Sequence, residues 1–354
     1  MSLLDRYLFR TVLATSLVVL ALLLVLDTFF SLLTELEDAG FGDYGLAEVA
    51  RFLLLTLPGR IYETLPVALL VGGLLGMGAL ASHSELVVMR GAGRSILRLV
   101  LAALAAGLLL SAAGVLLGEY AAPALERLAK EQRIAARTRN TLLYPGRGFW
   151  ARDGNNIIGI GTVIPGPVLV DIDIYRFNDR GELQATLHAR RGHFEGGHWQ
   201  LEDVRQRTID PQSVTTRSQA TIPWESVLTP STLEVLAADP SDLAMRELLT
   251  YIDYLQANQL DTRRYELAFW TKALAPLANL SMLYIAMPFA FVRQRTPGVG
   301  QRLVIGILLG LLFFLLNRML GNIVLLYGFP PIAGAALPML LLYAAGTVAL
   351  RRLR

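Results

Sequence analysis

Apolar and polar positions divide the chain into two textures. Long, nearly unbroken apolar runs cover about residues 12–33, 52–81, 99–120, 267–292, 303–326 and 332–350. Each is close to or beyond the ~20 residues that cross ~30 Å of hydrocarbon at 1.5 Å per residue, so each predicts a membrane-spanning helix. Between the third and fourth runs, charge and alternation take over. Leu169 to Phe177 sets Val170, Ile172 and Ile174 on one side and Asp171 and Asp173 on the other, the period of a half-buried strand. Turn signals at Asp153-Gly154, Asn178 to Gly181 and Gly196-Gly197 separate further short runs around Phe149, Ile157, Leu187, Trp199, Val214 and Ile222. Closely spaced strands of this kind predict a β-jellyroll or sandwich. From Pro240 to Gln259 the period becomes helical again, with Met245, Leu248, Ile252 and Leu255 in one stripe and Ser241 as the N-cap.

The predicted fold is therefore an α-helical polytopic membrane protein of six transmembrane helices with an inserted β-domain. Its parts are helices one to three over residues 1–120, the β-domain with flanking helices over 121–266, and helices four to six over 267–354. Composition agrees: 54% of residues are apolar and only 17% charged, against roughly 25% charged in soluble domains. Asp5, Arg6 and Arg10 lead into the first run with no small-residue cleavage site, so it reads as an anchor. Absence of cysteine excludes disulfides, thiolate metal sites and iron–sulfur clusters. The two lysines, Lys130 and Lys272, follow Ala129 and Thr271, so neither belongs to a phosphate-binding P-loop.

Orientation follows from basic residues in the short flanks. Arg6 and Arg10, then Arg90, Arg94 and Arg98, then Arg293, Arg295 and Arg302, then Arg351, Arg352 and Arg354 fall on one side; the short loops opposite carry Arg51. The positive-inside rule puts both termini in the cytoplasm and the β-domain on the periplasmic side. On the cytoplasmic side the longest polar interval is Ser82 to Arg98. Ser82 followed by Glu85 fits a capping box, and Gly91 and Gly93 offer a left-handed stop. A short helix over 82–93, with Leu86 and Met89 on one face and Arg90 beside them, would lie on the membrane surface where another protein could grip it.

Ionisable residues within the spans are costly and invite a role. Asp27 and Arg318 each lie about fifteen residues beyond the cytoplasmic start of their span, ~23 Å up, and Arg60 falls in the same layer. With Glu63, Asn317 and Asn322 they form a polar belt that could meet an anionic lipid headgroup; the alternative is internal pairing of Asp27 with Arg318, with Arg60 reaching outer headgroups. Lys130, Arg133 and Arg137 share one face of a helix continuing from the third span. They either receive phosphates or form a solvated face balanced by Glu126 and Glu131. His188, His193 and His198 are spaced by five, which alternates them across a strand and disfavours a common metal. No nucleophile–base arrangement points to an enzyme.

Six segments together resemble the LptF/LptG permease family of the bacterial lipopolysaccharide exporter, and the LptG branch more than the other. They are Leu4-Asp5-Arg6-Tyr7, Ser84 to Met89 with Gly93, Gly118 to Pro123, Trp150 to Asn156, Tyr175 to Asn178, and Tyr327 to Ile332. The resemblance covers nearly the whole chain. It implies a non-catalytic half-transporter that pairs with LptF, is driven by an LptB dimer and associates with LptC. That assembly would extract lipopolysaccharide from the outer leaflet of the inner membrane toward a periplasmic bridge. ATP and magnesium would sit in the partner ATPase, with no cofactor on this chain and no nucleic-acid partner. It also implies that Ser82 to Gly93 is the helix coupling to the ATPase, with Glu85 as its acidic contact, and that spans one and five supply lateral gates. Where family members carry basic residues in the first external loop, this chain has Glu37 and Asp38, which leaves Lys130 and Arg133 as the better phosphate candidates. An ion-coupled secondary transporter and a membrane-anchored β-domain scaffold are the competing readings of six spans around a β-domain.

Overall fold

A computed structural model describes residues 2–40, 43–138, 149–164, 168–178, 180–210, 213–224, 240–291 and 298–352. The chain divides into two compact units. One contains Met1–Arg133, Ala244–Leu248 and Arg263–Arg354, and the other Ile134–Leu243 and Leu249–Thr262.

The first unit is helical. It holds α1 (Leu3–Glu37), α2 (Leu46–Ser82), the short α3 (Glu85–Gly91) and α4 (Ile96–Leu116), which continues through a π-helical turn, Leu117–Ala121, into α5 (Ala122–Thr138), of which the part up to Arg133 belongs to this unit. It also takes in the start of α6 (Met245–Ala257) and all of α7 (Arg263–Phe291), α8 (Val299–Tyr327) and α9 (Pro331–Arg351). Among the described residues six helical stretches are long and apolar enough to cross a membrane, and they coincide with the six apolar runs of the sequence. Local signals set their ends. Ser2 and Asp5 form a reciprocal capping box at the start of α1. Gly328, at φ 71°, closes α8 in the left-handed region just before Pro330 and Pro331.

Helix α2 is the axis of this unit. Its second half, with Leu65, Leu69, Leu70, Val71, Leu74 and Met77, lies in the main core together with residues of α1, α4 and α7. Close approach depends on glycine: a Cβ at Gly72 would stand 2.4 Å from the Ser16 Cα of α1, and one at Gly73 2.4 Å from a Leu283 methyl of α7. The Thr15 hydroxyl uses that proximity to donate to the Gly72 carbonyl at 2.9 Å.

The second unit is a β-domain. Its described strands, β1 (Phe149–Asp153), β2 (Asn156–Ile164), β3 (Val168–Phe177), β4 (Leu183–Glu195), β5 (His198–Asp210) and β6 (Ser213–Trp224), form one antiparallel sheet in chain order. The jellyroll or sandwich domain expected from the turn spacing thus takes the form, in the described residues, of a continuous six-stranded meander. One core joins Ile158, Ile160, Leu169, Ile172, Ile174, Trp199, Leu201 and Val204, and Tyr254 packs against it.

The strand register corrects one detail of the alternation. Leu169, not Val170, is buried alongside Ile172 and Ile174. Asp171 lies between them at φ 61°, a left-handed residue that switches which face the next side chain takes. The disturbance crosses the sheet: Gly161, Asp171, Arg190, Asp203 and Ala220 occupy matching positions on five strands, and all lack a ladder partner there while the register on either side is unchanged. Asp203 repeats the left-handed backbone at φ 53°. A Cβ at Gly161 would come 2.9 Å from the Asp171 Cβ, so the crease demands glycine there. On the exposed surface His188 bonds Asp173 at 2.8 Å, a cross-strand pair.

Candidate functional sites in the helical unit

The element between α2 and α4 differs from its expected form in a way that changes which residues can meet a partner. The capping box does not form. Ser82 is the last residue of α2, where its hydroxyl donates to the Ala79 carbonyl at 2.8 Å. The N-cap of α3 is Ser84, in the left-handed region at φ 59° and with no side-chain capping bond. The sharp reversal of direction takes both residues, so Ser82 is spent on the end of one helix and is not available to begin the next. Glu85 therefore has no capping duty.

Leu86 and Met89 do share a face, but they are 3% and 4% exposed and belong to the core of this same unit. They anchor α3 and cannot be what another protein grips. The outward face carries Val87 and Val88, 68% and 71% exposed, with Arg90 exposed beside them and Glu85 half-buried. Two exposed β-branched residues on a seven-residue helix go against propensity as well as solvation. From the other direction, Tyr7 of α1 stands near the Glu85 carboxylate. Asp5 pairs with Arg98 at 3.4 Å, joining the first turns of α1 and α4 around this element. Tyr7, Val87 and Val88 were missed by the sequence reading. Valines between polar residues carry no period by themselves, and only packing shows which side of a two-turn helix is outermost.

The polar belt is realised with different partners. Asp27 pairs with Arg60 at 2.6 Å, not with Arg318, and the Arg60 guanidinium also bonds Ser31 and, at 3.0 Å, Thr56. Asp27 and Arg60 do meet, because α1 packs directly on α2 and the arginine of that helix takes the carboxylate. Arg60 is therefore held inside rather than reaching headgroups. Arg318 is exposed, with no hydrogen bond or ion pair among the described residues, and Asn317 beside it is half-buried.

A similar substitution occurs further along, at the C-terminal end of α1. Arg133, expected to face a phosphate, lies 2.8 Å from Asp38 and 3.1 Å from Glu35, with its guanidinium over the Phe52 ring. Tyr44 completes the cluster by donating to Glu35 at 2.8 Å. The acidic end of α1 thus supplies the counter-ions for this arginine, in place of Glu126 and Glu131. Lys130 on the same helix is exposed, and the side chain of Arg137 lies outside the described residues, as do Arg293 and Arg295. The π-turn has a further role that the sequence did not show: Glu119 accepts from the Met245 N–H at 2.9 Å and so caps α6.

Comparison with known proteins fits this architecture. The sequence model of the family described as "Lipopolysaccharide export system permease LptF/LptG" matches residues 6–352. The chain is 35% identical to the lipopolysaccharide export system permease protein LptG of Escherichia coli K12 over 338 residues, covering 95% of this chain and 94% of that one. It is 32% identical to the protein of the same name from Haemophilus influenzae over 340 residues, 96% and 95% of the two chains. With six apolar helices around an inserted sheet domain, and a match from one end to the other, the chain belongs to the LptF/LptG permease family.

Proposed function

We propose that this chain is a multi-pass inner-membrane permease subunit of a lipopolysaccharide exporter, moving lipid without chemistry on it while partner subunits hydrolyse ATP. Support comes from the family, whose relatives carry that name, and from a chain that lacks a P-loop yet displays a firmly anchored helix for a motor to hold. In this reading LptF is the companion permease, an LptB dimer the ATPase that binds the magnesium nucleotide, and LptC a further associate. Both termini and α3 are cytoplasmic and the sheet domain is periplasmic, as the arginine distribution requires.

The observation that carries the coupling role is the division of labour on α3. Leu86 and Met89 fix the helix to the membrane core, so force applied at Glu85, Val87, Val88 and Arg90 is transmitted to α2 and α4. A rigid lever needs both faces. For the lipid, Arg318 with Asn317 is the candidate contact for phosphate, with Lys130 a second candidate by its exposure; Arg133 and Arg60 pair with internal carboxylates and act as supports.

The test is ATP-driven release of lipopolysaccharide from the reconstituted assembly. Glu85→Gln, which removes charge without altering a cap, lowers coupled release by roughly tenfold, the scale of one charge-assisted hydrogen bond, while the fold and assembly persist. Full activity of Glu85→Gln would remove the charge from the mechanism. Full lipid release with no nucleotide-binding subunit present would instead favour the secondary-transporter reading.

A further inference from the structure

The segment Leu4-Asp5-Arg6-Tyr7 has no duty in the coupling scheme, yet it stands beside α3. Asp5, Leu8 and Val12, at i, i+3 and i+7, form one face of α1 and are 6%, 0% and 0% exposed, while Arg6 and Tyr7 are exposed. Asp5 is thus a carboxylate turned toward the helices of its own unit. Its Oδ2 accepts from the Ser2 N–H at 3.0 Å and from Arg98 at 3.4 Å. Its Oδ1 is buried and finds no partner among the described residues. A capping box uses one side-chain oxygen and is served as well by a neutral amide. Burying a charged group with one oxygen unsatisfied, at a cost of about 1–3 kcal/mol, calls for a further reason.

That reason lies in what the charge attracts. Arg98 stands in the first turn of α4, and Arg94, just before that helix, is near the same carboxylate. The chain between α3 and α4 has little freedom. Gly93 takes the left-handed position at φ 84°, the Arg94 N–H returns to the Met89 carbonyl at 3.2 Å, and the Ser95 hydroxyl accepts from the Arg98 N–H at 3.4 Å. The end of α3 is therefore fixed to the start of α4. At the other end of α3, Tyr7 stands near Glu85. The start of α1 thus reaches α3 at both of its ends, through Tyr7 at the beginning and through Asp5 with the two arginines at the finish.

We infer that Asp5 is a positioning residue of the export cycle: its charge fastens the first turn of α1 to the corner between α3 and α4, so that a push on α3 moves α1 together with α2. The inference rests on the permease reading above. Thr15 and Ser16 fasten α1 to α2 by close packing on Gly76 and Gly72. Asp5, about three turns earlier, adds an attachment to α4. Two attachments make a helix move with its neighbours, whereas one leaves it free to pivot.

The experiment compares ATP hydrolysis with lipopolysaccharide release in the assembly reconstituted into proteoliposomes. Asp5→Asn keeps the side-chain shape and an acceptor for the Ser2 N–H while removing the charge. Release per ATP hydrolysed falls roughly three- to fivefold, the scale of one partly exposed ion pair, with ATP hydrolysis retained. Arg98→Gln loses less, because Arg94 remains, and the double variant is no worse than Asp5→Asn, because both changes remove the same contact. Ser2→Ala, which removes a capping oxygen and leaves the charge, lowers the thermal midpoint without changing release per ATP. Unchanged release per ATP in Asp5→Asn would overturn the inference, and so would an equal loss in Ser2→Ala, which would reduce Asp5 to a cap. A parallel fall of hydrolysis and release would also overturn it, by showing that Asp5 shapes the surface the motor binds. Absence of ATP-driven release from the wild type would instead remove the permease reading, and this inference with it.

Discussion

Helices α2 and α8 would both be chosen by any hydropathy scan, and α8 is the more apolar of the two. Yet 67% of the most apolar stretch of α2 is buried inside this chain, against 11% for α8 and, likewise, 11% for α1. The difference lies in what each residue meets. Along α2, Gly72, Gly73, Gly76 and Gly78 admit Ser16, Leu283, Thr15 and Arg302 at distances no side chain would permit. Along α8, only Gly306 among the glycines facing α2 is held tightly, 2.9 Å from a Val71 methyl, whereas Gly310 faces Val67 at ordinary contact distance and large residues such as Leu308, Leu311 and Phe314 stand exposed. In a bilayer apolar surface has no reason to hide from lipid, so close packing, rather than hydrophobicity, separates a helix of the core from a helix of the rim. Exposed rims on α1 and α8 suit a subunit that offers surface to lipid and to other chains.

The sharpest way to break this comparison is the same substitution in both helices. Gly72→Ala places a methyl against the Ser16 backbone, which cannot yield as a side chain could. A loss of about 2–3 kcal/mol is expected, read as a lowered thermal midpoint in detergent. If the loss were negligible, α2 would not be the tightly packed axis. A smaller effect tests how the rim helix α1 is fastened to that axis. A double-mutant cycle on Asp27→Asn and Arg60→Gln should give a coupling of about 1–2 kcal/mol, and the cycle on Asp27 and Arg318 a value near zero. The reverse result would restore the Asp27–Arg318 pairing. Smallest is Gly310→Ala, whose new methyl fits beside Val67; a gain of about 0.5–1 kcal/mol follows from helix propensity. A marked loss there would show that α8 approaches α2 as closely as α1 does.

The same contrast explains which site residues the sequence could reveal. Asp27 and Arg60 were placed at one level and do meet, because depth is a linear count at 1.5 Å per residue. Which charges pair was not in that count, since it depends on helix rotation and on which helices touch. Arg133 shows the same thing. Its charge and helix face were plain, but its counter-ions, Glu35 and Asp38, come from a segment nearly a hundred residues earlier. On α3 the period of Leu86 and Met89 was read correctly as a face and then assigned to the wrong neighbour, because a short amphipathic helix cannot declare whether its apolar side serves its own chain or another.

What the sequence determined by itself was set by one-dimensional chemistry. Long apolar runs fixed six spans, and alternation and turn residues fixed a β-domain between the third and fourth. Tertiary structure decided everything that needed a second segment to be near: the reversal at Ser82 to Ser84 that removed the capping box, the outward turn of Val87 and Val88, the capture of Arg60 and Arg133 by carboxylates of α1, and the placing of the Arg302 guanidinium against Gly78. The physical reason is common to all of them. Solvation preference acts on each residue alone and can be read in order, whereas pairing and close packing act between residues whose meeting only the fold arranges.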